Sequence, residues 1–216
     1  MKLFSLIWDL DGTLVDSYPS IIPAAQEVCA GFGLTYSAET IYDKSIRFSV
    51  GAFLESAAAE HGMDPAPLKA RFNALNDTRI DAIQPMPHAA ETLEALQRDG
   101  HQSFVFTHRG ASCRAILERT GLLSYFTEIV TAGNGFPRKP APDGIVYLMQ
   151  KYALDAARCF YVGDRSLDME AAQNAGIGSI LYHPAGSFVK PTMRETYIVQ
   201  DLLEIPNALR KNHPVR

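Results

Sequence analysis

Apolar residues in this chain follow two patterns. Short unbroken runs at residues 3–8, 102–107, 128–131, 159–163 and 178–183 have the length and the aromatic and branched content of buried strands. Between the later runs, apolar residues recur at helical spacing. Residues 88–98 place Leu93 and Leu96 on one face, with Glu91 and Glu94 early, Arg98 late and Gly100 just past the end, the polarity that a helix dipole and a C-cap favour. Residues 111–120, 143–152 and 166–175 read the same way. Strands alternating with helices predict an α/β fold with a parallel sheet and right-handed crossovers. In such sheets ligands bind beyond the carboxyl ends of the strands.

Residues 17–84 break that rhythm. They form a helical block with no strand candidate, with helices expected at 19–30, 38–44, 51–60 and 65–83. In the last of these Leu68, Phe72 and Leu75 keep helical spacing, followed by Ile80 and Ile83. Gly31-Phe32-Gly33 and Gly62-Met63-Asp64-Pro65 punctuate the block as turns. Gln84-Pro85-Met86-Pro87 gives a stiff, non-helical return. The expected organisation is a core of residues 1–16 and 85–216, interrupted by a helical module of residues 17–84. Inserted after the first strand, the module is placed to act as a cap.

At 216 residues, 47% hydrophobic and 20% charged, the chain has the makings of an ordinary globular protein with a sizeable core. A formal net charge of −4 offers no bulk attraction to nucleic acid or acidic membranes, and neither is expected as a partner. The basic stretch Arg210-Lys211-Asn212-His213-Pro214-Val215-Arg216 reads as a solvated tail. Cys29, Cys113 and Cys159 are far apart and form no CxxC pair, so they read as reduced thiols outside any disulfide or zinc framework. No run is long enough to span a membrane and no secretion signal is evident, so the expected compartment is the cytoplasm. The chain is expected to be a monomer or a homodimer.

The first apolar run ends in Asp9-Leu10-Asp11-Gly12-Thr13. Residues two apart on a strand point to the same side, so Asp9 and Asp11 would project together where the strand ends, with Gly12 letting the backbone turn away. Two acids in one pocket suit a metal ion, and suit a division of labour between a nucleophile and an acid/base. An EF-hand reading fails, because counting from Asp9 glycine falls fourth and Ser20 twelfth. Neither a GxxxxGK[ST] loop nor a GxGxxG fingerprint occurs.

A second acidic pair, Asp164 and Asp168, follows the run 159–163, with helix capping as the competing reading. Four carboxylates at one sheet edge need a cation, and hard oxygen ligands suit Mg²⁺. The run 102–107 ends in Thr107-His108-Arg109-Gly110. Its hydroxyl and exposed N–H groups leading into a helix make an anion site, although Thr107 also suits an N-cap. Lys139, fixed between prolines in Pro137-Arg138-Lys139-Pro140, suits a point charge aimed at phosphate and carboxylates. Within the helical module, residues 44–51 read as a short basic segment between two helices, and Arg47 is its candidate for contacting substrate.

These pieces, in this order, resemble the haloacid dehalogenase superfamily. The likeness covers nearly the whole chain and is closest to its phosphoglycolate phosphatase-like and β-phosphoglucomutase-like branch, with residues 17–84 resembling its C1-type cap. It implies a Rossmann-like core and Mg²⁺-dependent hydrolysis of a small phosphorylated metabolite, phosphoglycolate-like or a sugar phosphate. Asp9 would be the nucleophile and Asp11 the acid/base. Thr107 and Lys139 would stabilise the phosphoryl oxygens, with Gly12, Thr13 and His108 on the substrate side. The metal set would be Asp9, Asp11 through its backbone carbonyl, Asp164 and Asp168. Asp11 weighs against the dehalogenase and phosphonatase variants, which lack an acid there. A hexose-phosphate mutase, and a non-catalytic α/β binding or regulatory protein, are the alternatives. Two positions depart from the pattern: His108-Arg109 stands where Asn-Lys is common, and Pro87-His88 where Pro-Gly is common.

Overall fold

In the computed structural model, which describes residues 2–211, strand β1 (Ser5–Trp8) ends at Asp9 and the chain turns through Gly12 into the short strand β2 (Val15–Asp16). The turn requires φ +82° at Gly12, the left-handed region that glycine enters without strain. Four helices follow, α1 (Tyr18–Gly31), α2 (Ala38–Arg47), α3 (Val50–Glu60) and α4 (Pro65–Asp77), before the short strand β3 (Gln84–Pro85). Helices and strands then alternate: α5 (Ala89–Arg98), β4 (Gln102–Phe106), α6 (Ser112–Arg119), β5 (Phe126–Val130), α7 (Asp143–Tyr152), β6 (Cys159–Gly163), α8 (Ser166–Asn174) and β7 (Gly178–Tyr182). Strand β8 (Tyr197–Val199) and helix α9 (Glu204–Lys211) complete the described chain.

Six strands form one parallel sheet in the order β5-β4-β1-β6-β7-β8. From β1 the chain steps outward to β4 and β5, then returns to β6 on the other side of β1, so the order reverses at β1. Ile7 lies opposite Phe104 on one side and Tyr161 on the other. Leu6, Ile7, Trp8, Phe104, Val105, Tyr161 and Val162 have no exposed surface, as expected of strands covered on both faces. This is the parallel α/β core that the alternating pattern predicts.

By internal contacts the chain divides into two units, Met1–Asp16 with Gln84–Arg216, and Ser17–Ile83. The second is all-helical and has its own core, with Val28, Ile41, Phe53, Leu54, Leu68 and Phe72 packed together. Its helix starts are written in the sequence. Ser37 accepts from the Thr40 N–H at 3.1 Å, Ser49 from Ala52 at 3.1 Å and Asp64 from Ala66 at 3.0 Å.

Several elements differ from expectation. The last helix of this unit stops at Asp77 instead of reaching residue 83: Thr78 caps it, and a separate 3₁₀ turn carries Ile80–Ala82. Gln84 is a strand residue, paired antiparallel with Asp16. Lys44 and Arg47 belong to the last turn of α2, where cations suit the dipole, and only Phe48 and Ser49 separate α2 from α3. Strand β8 and helix α9 had no signal strong enough to predict them. Of the expected tail, Arg210 is a helical residue paired with Asp99 at 2.6 Å, while residues 212–216 lie outside the described residues. No described helix is long and apolar enough to cross a membrane.

Candidate active site

The carboxyl ends of β1, β4 and β6 and the loop after β5 bring the chemistry together. Asp9 follows β1, Thr107 follows β4, Asp164 follows β6, Asp168 sits in the first turn of α8, and Lys139 lies in the loop before α7. One ligand oxygen from each of Asp9, Asp164 and Asp168 lies within 4.8 Å of the others, and all three residues are buried.

Lys139 holds this cluster together. Its Nζ stands 3.0 Å from Asp9 Oδ1 and 2.5 Å from Asp168 Oδ1, and donates to the Tyr161 hydroxyl at 2.9 Å. Tyr161 in turn donates to the Phe106 carbonyl at 2.6 Å, which fixes the direction of its lone pairs toward the lysine. Arg165 closes the other side: its Nη2 donates to Asp9 Oδ2 at 3.2 Å, and its backbone N–H donates to Asp168 Oδ2 at 3.1 Å. Asp168 therefore caps the start of α8 and binds the lysine at once. Thr13 donates its hydroxyl to Asp164 Oδ1 at 3.1 Å.

The three carboxylates face two cations, and their titration divides accordingly. Burial would raise the Asp9 carboxyl, but Lys139 and then Arg165 overcome it and hold Asp9 at about 2. For Asp164 burial dominates; Asp168 and Asp9 add to it, Arg165 opposes it, and the carboxyl is pushed up to about 7. Asp168 is also raised, by burial first, against the pull of Lys139. A buried acidic cluster short of positive charge, built of hard oxygen donors, fits a small divalent cation. Asp11 is not part of that side-chain cluster. Its carboxylate accepts from Arg109 Nη2 at 2.8 Å and from Arg109 Nε at 3.0 and 3.1 Å.

On the β4 side, Thr107 does not cap a helix. Its Oγ1 accepts from the Arg109 N–H at 3.1 Å and closes a tight turn, and α6 begins only at Ser112. His108 Nε2 accepts from the Lys139 N–H at 2.7 Å. Burial, then Lys139, drives the imidazole down to about 2, so His108 is neutral. Since Nε2 is the acceptor, the ring proton sits on Nδ1. His108 therefore ties the β4 loop to the lysine loop. Gly12 supplies the turn after Asp11, and Thr13 reaches Asp164. Arg47 is not among the residues gathered here. It belongs to the helical unit, 58% of its side chain is exposed, and it pairs with Asp43 on the same helix at 2.7 Å.

Three participants went unread in the sequence: Arg165, Tyr161 and the role of Arg109. A cation directly after Asp164 was the available signal for Arg165. Tyr161 is a polar aromatic in an otherwise apolar strand, and Arg109 stands at a position already departing from the family pattern.

Comparison with known proteins shows the family. The model of the haloacid dehalogenase-like hydrolase family matches residues 6–182. The chain belongs to the haloacid dehalogenase-like hydrolase family. It is 33% identical over 184 residues to a phosphoglycolate phosphatase of Agrobacterium fabrum, covering 81% of this chain and 78% of that one. It is 26% identical over 179 residues to the fructose-1-phosphate phosphatase YqaB of Escherichia coli, covering 81% and 94%. A crystal structure from Haemophilus somnus, described as a predicted phosphoglycolate phosphatase, shares the fold with a TM-score of 0.82 at 22% identity, over 96% of this chain and 98% of that one.

Proposed function

We propose that this chain is a phosphatase that hydrolyses a small phosphorylated metabolite through a phosphoryl group carried transiently by Asp9. The observation that carries the reading is the buried triad Asp9, Asp164 and Asp168 tied by Lys139 at the carboxyl edge of the sheet. Relatives named as phosphoglycolate phosphatase and fructose-1-phosphate phosphatase support the reaction class.

An Asp9 carboxylate oxygen attacks phosphorus as the bond to the leaving oxygen breaks. With its pKa held at about 2, Asp9 is ionised throughout the neutral range. Asp11 gives its proton to the leaving oxygen, then as carboxylate takes one from the water that attacks the aspartyl-phosphate. Free phosphate leaves and Asp11 is protonated again. Lys139, with the Thr107 hydroxyl, offsets charge on the phosphoryl oxygens. Asp9, Asp164, Asp168 and the Asp11 carbonyl would hold Mg²⁺, which supplies charge neutralisation between the nucleophile and the phosphate. In this reading residues 17–84 serve as the cap that selects substrate, and Arg47 contacts the leaving group.

The test is phosphate release from p-nitrophenyl phosphate and a panel of phosphorylated metabolites, with Mg²⁺ and with chelator. Activity should require the metal, and folded Asp9→Asn should lose it, because an amide is nearly isosteric but a poor nucleophile. Near-native turnover by Asp9→Asn would overturn the covalent mechanism, and full activity in chelator would overturn the metal site.

A further inference from the structure

Arg109 takes no part in the mechanism above, yet it is built into the site more firmly than any surface cation. Only 3% of its side chain is exposed, against 21% for Asp11. Its backbone is pinned at both ends: the N–H donates to Thr107 Oγ1 at 3.1 Å and the carbonyl accepts from the Ala132 N–H at 3.1 Å. The guanidinium reaches from the end of β4 to the turn after β1. Nη1 donates to Ser112 Oγ at 3.3 Å, while Nε and Nη2 both meet the Asp11 carboxylate.

That contact is asymmetric. Oδ1 takes two of the three bonds, including the shortest at 2.8 Å, whereas Oδ2 takes one at 3.1 Å. In a protonated carboxyl the carbonyl oxygen still accepts hydrogen bonds, and the hydroxyl oxygen is the one that gives up the proton. A planar fork anchored at a third nitrogen fixes the plane of its carboxylate, which an ammonium point charge does not do.

We propose that Arg109 is the positioning residue for the acid/base: it holds Oδ1 of Asp11 with two bonds and Oδ2 with one, so that Oδ2, the less engaged oxygen, carries and delivers the proton. The inference rests on the assignment of Asp11 as acid/base in the proposed function. In the first half-reaction the Oδ2–H proton moves to the leaving oxygen as that oxygen takes the electron pair of the breaking P–O bond. In the second, Oδ2 takes a proton from the attacking water. Oδ1 stays on Arg109 in both.

The proposal separates from a structural or phosphate-binding role by leaving group. Values of kcat/KM report steps up to departure of the leaving group. An alkoxide needs a proton as it leaves and a nitrophenolate does not. Arg109→Ala should therefore lose about 10²-fold in kcat/KM on an alkyl phosphate and less than about threefold on p-nitrophenyl phosphate, with Arg109→Lys between wild type and Arg109→Ala. In an Asp11→Asn background, Arg109→Ala should change kcat/KM on the alkyl phosphate by less than about twofold. Equal losses on both esters, no loss on either, or a full further loss in the Asp11→Asn background would each overturn the proposal. Crystal structures of the wild type and Arg109→Lys supply a readout independent of turnover. The Asp11 carboxylate should hold one orientation in the first and several in the second, and one unchanged orientation in both would overturn the assignment. Failure of the wild type to hydrolyse either ester would instead sink the proposed function.

Discussion

Lys139 Nζ and Asp168 Oδ1 lie 2.5 Å apart, and neither side chain has any exposed surface. The same ammonium serves Asp9, so one cation neutralises parts of two buried carboxylates. Removing one partner of such a group leaves uncompensated buried charge, with a penalty of roughly 3–5 kcal/mol. Lys139→Met should therefore melt well below wild type in chelator at pH 7. The gap should narrow at pH 5, where the stranded carboxylates can take up protons. An unchanged melting temperature at pH 7 would show that the cluster contributes nothing to the fold.

The pH response of the metal-free protein should reverse sign across the acidic range. Asp9 is held at about 2, below its unfolded 3.8, so its contribution is present above 3.8 and lost as pH falls toward 2. Asp164 is raised from 3.8 to about 7. The folded state then binds the proton more tightly than the unfolded chain, and stability falls as pH rises from about 4 to 7. The cluster should stabilise most near pH 4. Asp164→Asn should reduce the decline between pH 4 and 7 in chelator, leaving the part that the raised Asp168 carboxyl contributes; an identical pH profile in both proteins would refute the assignment. Because the proton must leave before a cation is bound, the apparent affinity for Mg²⁺ should rise toward pH 7 and then level off.

Gly163, the last residue of β6, is locked against Asp168. A Cβ added there would stand 2.5 Å from Asp168 Cγ and Oδ2, so the carboxylate would have to leave Lys139. Gly163→Ala should lose about 10²-fold in kcat/KM, the scale of a displacement of about 1 Å in a site. Gly178→Ala is the control, since its Cβ would run into the Phe160 ring instead. It should lower the melting temperature and leave kcat/KM within a few-fold of wild type. Similar activity losses in both would mean that the effect is general loosening of the core.

Arg47 gives the proposed cap its sharpest test. Arg47→Ala removes an exposed ion pair with Asp43, worth at most about 1 kcal/mol, so folding should be untouched. It should lower kcat/KM on the best anionic metabolite and leave p-nitrophenyl phosphate hydrolysis unchanged. If both substrates behave as with wild type, Arg47 is a surface residue only.

The sheet was legible because its strands bury both faces and so read as unbroken apolar runs, with Cys159–Gly163 found to the residue. The gathering of Asp9, Asp164 and Asp168 followed from their places at a strand end or one helical turn beyond it, and Lys139 was marked by its flanking prolines in the loop before α7. Features set by long side chains were not legible. Arg109 and Arg165 reach residues 98 and 156 positions away, and no local pattern records such a reach. The segment around Arg47 reads as a loop because it is polar, yet Ser37 starts the helix and two cations suit its end. Tyr197–Val199 is a strand through its partner β7 alone, being only three residues long.

His88 turns a departure from the family pattern into a measurable strain. It opens α5 with φ +61°, in the left-handed region, at the position where the resemblance leads one to expect glycine. A residue with a Cβ pays roughly 1–2 kcal/mol there relative to glycine. In return the imidazole Nδ1 lies 2.9 Å from both carboxylate oxygens of Asp201, an exposed contact worth at most about 1 kcal/mol. His88→Gly relieves the backbone and loses the contact; His88→Ala loses the contact and keeps the strain. Part of the glycine gain is offset by its greater freedom in the unfolded chain. The glycine variant should melt above the alanine variant by about 2–4 °C, the shift that roughly 1 kcal/mol produces in a protein of this size. A glycine variant melting at or below alanine would mean that the backbone at residue 88 is unstrained, and that the side chain alone accounts for its place in the fold.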